Sequence, residues 1–223
     1  MSTETLKQAL YQAIAKVAQA LSNGNRLQLL EFLAQRERSV DELAAMTGLT
    51  VANTSQHLQA LRQAALVTSR KEAQRVYYAV AGDDVVEMCR LVRSVAENRL
   101  AEVDKLVRDF IGHRDELEAV PAREVLDRAK RGLVLVLDVR PPEEYAAGHL
   151  PGAVNVPLKE LESRLGSLPK RKEIVAYCRG PYCLMSFEAV ETLRKRGLRA
   201  RRLENGLPEW RAAGLPVETG LRG

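Results

Sequence analysis

Residues 50–80 read TVANTSQHLQALRQAALVTSRKEAQRVYYAV, and within this stretch the spacing of apolar residues changes from helical to extended. Thr50 stands where a helix N-cap belongs, and the pattern after it predicts a helix over residues 51–63. Beyond that helix, LVTSR (66–70) and RVYYAV (75–80) are rich in β-branched and aromatic side chains. They flank a polar Lys71-Glu72-Ala73-Gln74 connection, which predicts a hairpin. On the upstream side, Ser39 with Glu42 three residues later fits a capping box. A short helix is therefore expected from there to Thr47, before the Gly48-Leu49 turn. Short helix, glycine turn, second helix and hairpin, in that order, describe a helix-turn-helix followed by a β wing.

Further upstream, Leu6, Leu10, Ile14, Val17 and Leu21 recur at helical spacing until Asn23-Gly24 breaks the pattern, and a second helix follows through Leu27, Leu29, Leu30, Phe32 and Leu33. Downstream, residues 83–111 predict one long helix with Val85, Met88, Cys89, Val92, Val95, Leu100, Val103, Leu106, Val107 and Phe110 as its apolar positions. Such a stripe is longer than a domain this small buries alone, which predicts a second copy across a two-fold axis, a homodimer. The polar stretch at 112–118 ends the pattern and Pro121 follows. The expected domains are therefore residues 1–113 and 114–223.

The second half has another rhythm. LVLVL (133–137) runs into Asp138 and EIVAY (173–177) runs into Cys178, as buried strands of a parallel sheet do. Helical patterns at 158–165 and 186–196, the latter closed by Gly197, separate these strands from each other and from a further short strand at 199–203. The predicted class is thus two domains: an α+β winged helix-turn-helix, then an α/β domain with a parallel sheet. Sites in such sheets lie at the carboxyl ends of strands, where Asp138 and Cys178 fall.

At 223 residues, two halves of this size each hold enough chain for their own core. No apolar run approaches the ~20 residues of a membrane span, and the opening MSTETLKQAL has no signal-peptide core. A cytoplasmic protein with no membrane partner is expected. Cys89, Cys178 and Cys183 are too few for a disulfide scaffold, so each is packed, metal-bound or reactive. The net charge of +5 is compatible with a polyanion partner, and an aromatic content of 4% disfavours binding single strands by stacking.

The 50–80 stretch resembles the ArsR family at the recognition helix and wing, through Ser55, His57, Leu58, Leu61, Arg62, Leu66, Val67, Arg70 and Tyr78, and the resemblance extends over roughly residues 10–110. It implies that the helix at 51–63 enters the major groove of a double-stranded operator with inverted-repeat symmetry. Ala52, Asn53, Ser55, Gln56 and Gln59 then lie near base edges, where Gln or Asn pairs with adenine, and Arg70, Lys71 and Arg75 lie near phosphates. The sequence departs from the family at two glycine positions, occupied by Ala65 and Ala73. Metal-sensing relatives use cysteine or histidine sets. Here the third helix has neither, and Cys89 stands alone until His113, so no metal site is expected. Cys89 reads as a packed small hydrophobe, and His57 as structural.

Three further segments, DVRPPEEYAAGHLPGAVNVP (138–157), VAYCRGPYCLMS (175–186) and ENGLPEW (204–210), resemble the rhodanese family over roughly residues 119–217. A cysteine directly after a buried strand, followed by a turn and then a helix, is expected to have backbone N–H groups aimed at its sulfur, which favour the thiolate. The resemblance implies sulfur carried as a persulfide on Cys178, with Arg179 drawing in an anionic donor such as thiosulfate. Gly180, Pro181, Tyr182 and Leu184 complete the substrate loop. Cysteine-dependent phosphatases place Arg six positions after the nucleophile, where this chain has Leu184, and are set aside. Cys183 either attacks a persulfide on Cys178 to form an intraloop disulfide or fills the first helical turn. In this family Asp138, Arg140, Glu144 and His149 organise sheet and loop, and Tyr145, Asn205 and Trp210 read as anchors.

Together these readings predict a dimeric transcriptional regulator, a repressor by the family's usual sense, whose Cys178 and Cys183 detect sulfane sulfur such as thiosulfate or polysulfide, or another thiophilic or oxidising species. No cofactor is expected. The alternatives are a sulfurtransferase that uses the winged helix for dimerisation or targeting, and an arsenic-responsive regulator binding through the two nearby thiols.

Overall fold

The computed structural model describes residues 3–110 and 119–220, which fall into two compact units, Met1–Cys89 and Arg90–Gly223. The division lies inside a helix, after Cys89. The boundary expected at 113/114 lies outside the described residues.

The first unit holds α1 (Thr3–Leu21), α2 (Gly24–Leu33), β1 (Arg38–Ser39), α3 (Val40–Thr47), α4 (Val51–Gln63), β2 (Val67–Glu72) and β3 (Arg75–Val80). Local chemistry sets its helix ends. The Asn23 side chain accepts from the Arg26 backbone N–H and caps α2. The expected capping box is formed, with the Glu42 N–H donating to Ser39 Oγ (3.2 Å) and the Ser39 N–H donating to Glu42 Oε2 (2.9 Å). Gly48 closes α3 in the left-handed conformation at φ +72°, and the Thr50 hydroxyl accepts from the Asn53 N–H to start α4. These caps fix the turn between α3 and α4. Behind it Leu29, Leu43, Leu58 and Leu61 are wholly buried in the core, with Tyr78 and Val85 at its edge.

The hairpin is tighter than the sequence suggests, because β2 runs on through Glu72 and leaves only Ala73-Gln74 as the turn. Ala65 (φ +58°) and Ala73 (φ +52°) are the non-glycine residues with positive φ among those described, at the two positions where the family carries glycine. A short strand that the sequence did not announce, β1, pairs antiparallel with β3 and gives the order β1-β3-β2.

The helix expected over 83–111 is two. α5 (Asp83–Arg99) ends before Leu100, and α6 (Ala101–Phe110) restarts with the N–H groups of Val103 and Asp104 turned to the Leu100 carbonyl. An unbroken apolar period does not reveal such a break, because the stripe continues on both sides.

The second unit is a parallel sheet of five strands, β4 (Ala119–Val120), β5 (Val134–Asp138), β6 (Val154–Asn155), β7 (Glu173–Tyr177) and β8 (Ala200–Leu203), in the order β4-β8-β7-β5-β6. The central strand β7 is covered on both faces. Ile174, Ala176 and Cys178 turn to the layer formed by α10 (Leu184–Lys195), with Phe187, Val190 and Leu193, and Val175 and Tyr177 turn to the layer of Val125, Leu207 and Trp210. The two-residue period of a strand thus decides which layer the cysteine meets. Helices α7 (Ala122–Lys130), α8 (Pro142–Ala147) and α11 (Leu207–Ala212) are not apparent from sequence, and the expected helix at 158–165 is a single turn of α9 (Leu161–Arg164) flanked by 3-10 turns. Among the described residues no helix is long and apolar enough to cross a membrane.

Candidate functional site

The two units carry different candidate surfaces. On α4, Thr54, Leu58 and Leu61 are buried, and the helical period therefore turns Ala52, Asn53, Gln56 and Gln59 outward, where they are exposed; Ser55 is half-buried at the margin. On the wing, Lys71 and Arg75 are exposed. Arg70 departs from expectation. Its guanidinium donates to both carboxylate oxygens of Glu37 (2.9 Å each from Nε), pairs with Glu72 and lies 4.8 Å from the Tyr77 ring centroid. Two carboxylates already answer this cation, so it reaches a phosphate only by giving them up. Glu37 is 33 residues away along the chain, which is why no local pattern shows the clasp.

At the carboxyl end of β7, Cys178 opens a loop that returns to the helix N-cap at Cys183, held by the Cys183 N–H donating to the Gly180 carbonyl (3.1 Å). Cys178 is buried at 2% exposure. Its Sγ lies 3.3 Å from the Cys183 carbonyl, 3.4 Å from Ser186 Oγ and 3.8 Å from the Gly180 carbonyl. Carbonyl oxygens accept from a thiol and repel a thiolate, and the Ser186 hydroxyl and backbone N–H act against them, so this environment is mixed where a ring of N–H donors was expected around Cys178. Burial is the main force that pushes its thiol well above the usual range. The donors converge on the neighbour instead. A hydrogen bond from Cys178, the backbone N–H groups of Arg179 and Met185 and the Arg179 charge together bring Cys183 down to about 7 against the opposing effect of burial. The pair thus gives up its first proton from Cys183, with the Cys178 S–H as donor to the resulting thiolate.

Arg179 is likewise engaged. It binds the buried Glu144 in a fork, Nε to Oε2 at 3.0 Å and Nη2 to Oε1 at 2.6 Å, so it lends the cysteines its field without offering a free guanidinium to an incoming anion. Glu144, read from sequence as an organiser, is what aims Arg179. A neighbouring fork, Asp138 with Arg140, is wholly buried, and Arg140 Nη2 also donates to the Gly148 carbonyl (2.7 Å). His149 is stacked on Tyr145 at 3.7 Å with its Nδ1 2.9 Å from the Tyr145 carbonyl, away from either thiol's hydrogen bonds.

Sequence reasoning missed two supports of the loop. Ser186 contacts Cys178 from the first turn of α10. Gly206, inside the ENGLPEW segment, lies so close that a Cβ there would stand 2.2 Å from the Arg179 carbonyl oxygen. That glycine is a steric requirement of the loop, and the motif itself was the available signal. At the loop's outer side the Tyr182 hydroxyl donates to Glu97 (2.5 Å), Arg93 lies over the Tyr182 ring (5.9 Å) and Arg93 also pairs with Glu209 (2.9 Å). Pro181 is half-buried and Leu184 exposed beside it. Among the described residues no group of three or more His, Cys, Asp or Glu side chains is placed to hold a metal ion.

A winged helix-turn-helix followed by a rhodanese-like sheet with a cysteine at the end of its central strand defines the class: a transcriptional regulator carrying a rhodanese domain. Residues 23–69 match the bacterial regulatory protein arsR family and residues 121–213 match the rhodanese-like domain. The HTH-type transcriptional regulator Rv0324 of Mycobacterium tuberculosis is 46% identical over 214 residues, covering 96% of this chain and 94% of that protein. The chain belongs to the ArsR family of transcriptional regulators with a C-terminal rhodanese domain. A sulfurtransferase of Allochromatium vinosum is 34% identical over 85 residues, covering 38% of this chain and 78% of that enzyme. The solution structure of a homodimeric winged helix-turn-helix DNA-binding domain from Mycobacterium bovis is 44% identical, with a TM-score of 0.41, over 45% of this chain and 91% of that one.

Proposed function

We propose that the chain is a homodimeric repressor, working in the cytoplasm, which holds an inverted-repeat duplex operator through residues 1–113 and releases it when sulfane sulfur modifies the Cys178–Cys183 loop in residues 114–223. Asn53, Gln56 and Gln59 supply the polar side chains for base edges, with Ala52 and Ser55 beside them, and Lys71 and Arg75 supply the phosphate contacts. Dimerisation is supported by exposed apolar side chains at helical spacing, Leu6, Leu10 and Ile14 on α1 and Leu91 and Val95 on α5, which a second copy would cover.

The observation that carries the sensing half is the hydrogen-bonded pair of thiols, Cys178 and Cys183, on one loop at the carboxyl end of β7. The Cys183 thiolate takes the Cys178 proton, and the Cys178 thiolate then attacks the outer sulfur of thiosulfate, forming a Cys178 persulfide and releasing sulfite. The outer sulfur of that persulfide takes the Cys183 proton, and the Cys183 thiolate then attacks the inner sulfur and expels hydrosulfide, leaving an intraloop disulfide. The sulfane donor is the oxidant, and charge balances at each step. Operator binding measured with and without polysulfide tests this: wild type weakens at least tenfold, a change of ~1.4 kcal/mol, and Cys178→Ser binds as tightly as reduced wild type and does not respond. A Cys178→Ser protein that responds as wild type does removes the loop as sensor.

A sulfurtransferase is the second reading, supported by the Allochromatium relative. It requires steady turnover from thiosulfate to cyanide or a thiol, where the sensor stops after one loading. The arsenic-responsive reading has the two loop thiols alone to offer.

A further inference from the structure

The first unit, Met1–Cys89, contains nine Lys or Arg and nine Asp or Glu, so the whole formal charge of +5 belongs to Arg90–Gly223. A helix-turn-helix of zero net charge is an unusual carrier for the phosphate attraction that dominates duplex affinity. The missing charge has a location. Parallel strands begin at one edge of a sheet, and here Val134 is level with Glu173 and Ile174 with Ala200, so the segments feeding β5, β7 and β8 meet there. Segments 127–134, 169–174 and 193–201 hold eleven Lys or Arg against two acids, Asp127 and Glu173.

Those two carboxylates are taken up by Arg131, Arg128 and Arg201. The remaining cations stand together. Arg199 Nη2 donates to the Arg171 carbonyl (2.7 Å), and Lys172 Nζ is 4.0 Å from where a Cβ of Gly132 would be. Lys170, Arg171, Lys172, Lys195, Arg196 and Arg199 are all exposed, with no carboxylate partner among the described residues. A surface kept only for solubility intersperses the two signs; a single-sign edge repels itself and is relieved by a polyanion. It also lies at the opposite end of β7 from Cys178, a separation of roughly 3.3 Å per residue along the strand, so occupying it leaves the thiol loop open.

We propose that this starting edge of the parallel sheet is a second duplex-DNA contact, which grips phosphates outside the operator. The proposal rests on the reading of the chain as a DNA-binding regulator. A tethered phosphate-binding surface raises overall affinity through effective concentration without adding base specificity, which supplies what a neutral helix-turn-helix lacks.

The test uses the full-length protein and a salt titration of its binding to a 60-base-pair mixed-sequence duplex. Each protein–phosphate ion pair removed lowers the slope of log affinity against log salt by about 0.9. The triple variant Lys170→Ala/Arg171→Ala/Lys172→Ala is expected to lower the slope by about two such steps, and the affinity at low salt at least tenfold; Lys195→Ala/Arg196→Ala is expected to move the same way by less. Arg75→Ala, on the wing, reports the helix-turn-helix separately. If Arg75→Ala weakens binding while both edge variants keep the wild-type slope, the edge contact is overturned and the regulator reading stands. If wild type binds no duplex at low salt, both fall. An edge variant unchanged on DNA that loses retention on phosphatidylserine vesicles overturns the proposal in favour of a membrane surface.

Discussion

The recognition helix and the cysteine loop differ in where their polar groups are answered. On α4, the side chains of Asn53, Gln56 and Gln59 face solvent with no hydrogen-bond partner among the described residues. In the loop, every charge is answered from within: Arg179 by Glu144, Arg140 by Asp138, and the Cys183 sulfur by Cys178 and the backbone. A surface of the first kind is completed by something that binds from outside. A site of the second kind is already complete, and is changed by covalent chemistry that breaks its internal balance. The contrast suits a chain in which one unit reads a partner and the other reads a reagent.

The most forceful way to break the comparison is to unbalance the second unit. Asp138 and Arg140 are both wholly buried, so Asp138→Ala leaves the Arg140 guanidinium without its carboxylate partner and is expected to destabilise that unit by about 3–5 kcal/mol. Denaturant unfolding with separate probes should show the rhodanese transition moving to lower denaturant and the winged-helix transition staying in place. Equal movement of both would mean that the units do not unfold independently.

A smaller effect sharpens the acidity assignment. With Cys183 lowered from 9.0 to about 7, its alkylation rate should rise to half its maximum near pH 7, while the buried Cys178 reacts slowly throughout. The sign for stability follows. A depressed folded-state pKa means that the native state binds fewer protons than the unfolded chain between about pH 7 and the ordinary thiol value of 9.0. Stability from this source therefore rises across that window and is lost as pH falls through about 7. Cys183→Ser flattens the rise. Peptide mass mapping that finds Cys178 alkylated first below pH 8 would return the thiolate to the position expected from sequence.

What the sequence disclosed depends on distance along the chain. The Ser39–Glu42 capping box, the Gly48 turn and the Thr50 cap are settled within four residues, and α3 and α4 were legible to within a residue of their ends. The left-handed conformations at Ala65 and Ala73 went unread, although the glycines that the family carries there were the available signal. The Arg70–Glu37 and Arg179–Glu144 forks join residues 33 and 35 positions apart, and no period or motif encodes them. The acidity of Cys183 was hidden for a related reason. Spacing places both cysteines on one loop, but only the path of that loop decides that Cys183 gathers the N–H groups of Arg179 and Met185 while Cys178 meets carbonyls as well as the Ser186 N–H.

The finest test concerns the two alanines in the left-handed region. There an L-residue with a Cβ is disfavoured by roughly 1–2 kcal/mol, whereas glycine gives up roughly 0.5–1 kcal/mol in backbone entropy on folding. Ala65→Gly and Ala73→Gly should therefore each stabilise the winged-helix unit, by no more than about 1 kcal/mol, which in a domain of this size raises Tm by up to about 4–8 °C. The two positions lie beyond opposite ends of β2 (Val67–Glu72), so they share no partner and their effects should add to within ~0.5 kcal/mol in the double variant. The cysteine loop serves as the internal control, since neither change should alter the alkylation rate of Cys183. A Tm that falls on Ala73→Gly would show that the wing turn gains more from alanine's restriction of the unfolded chain than it loses at φ +52°.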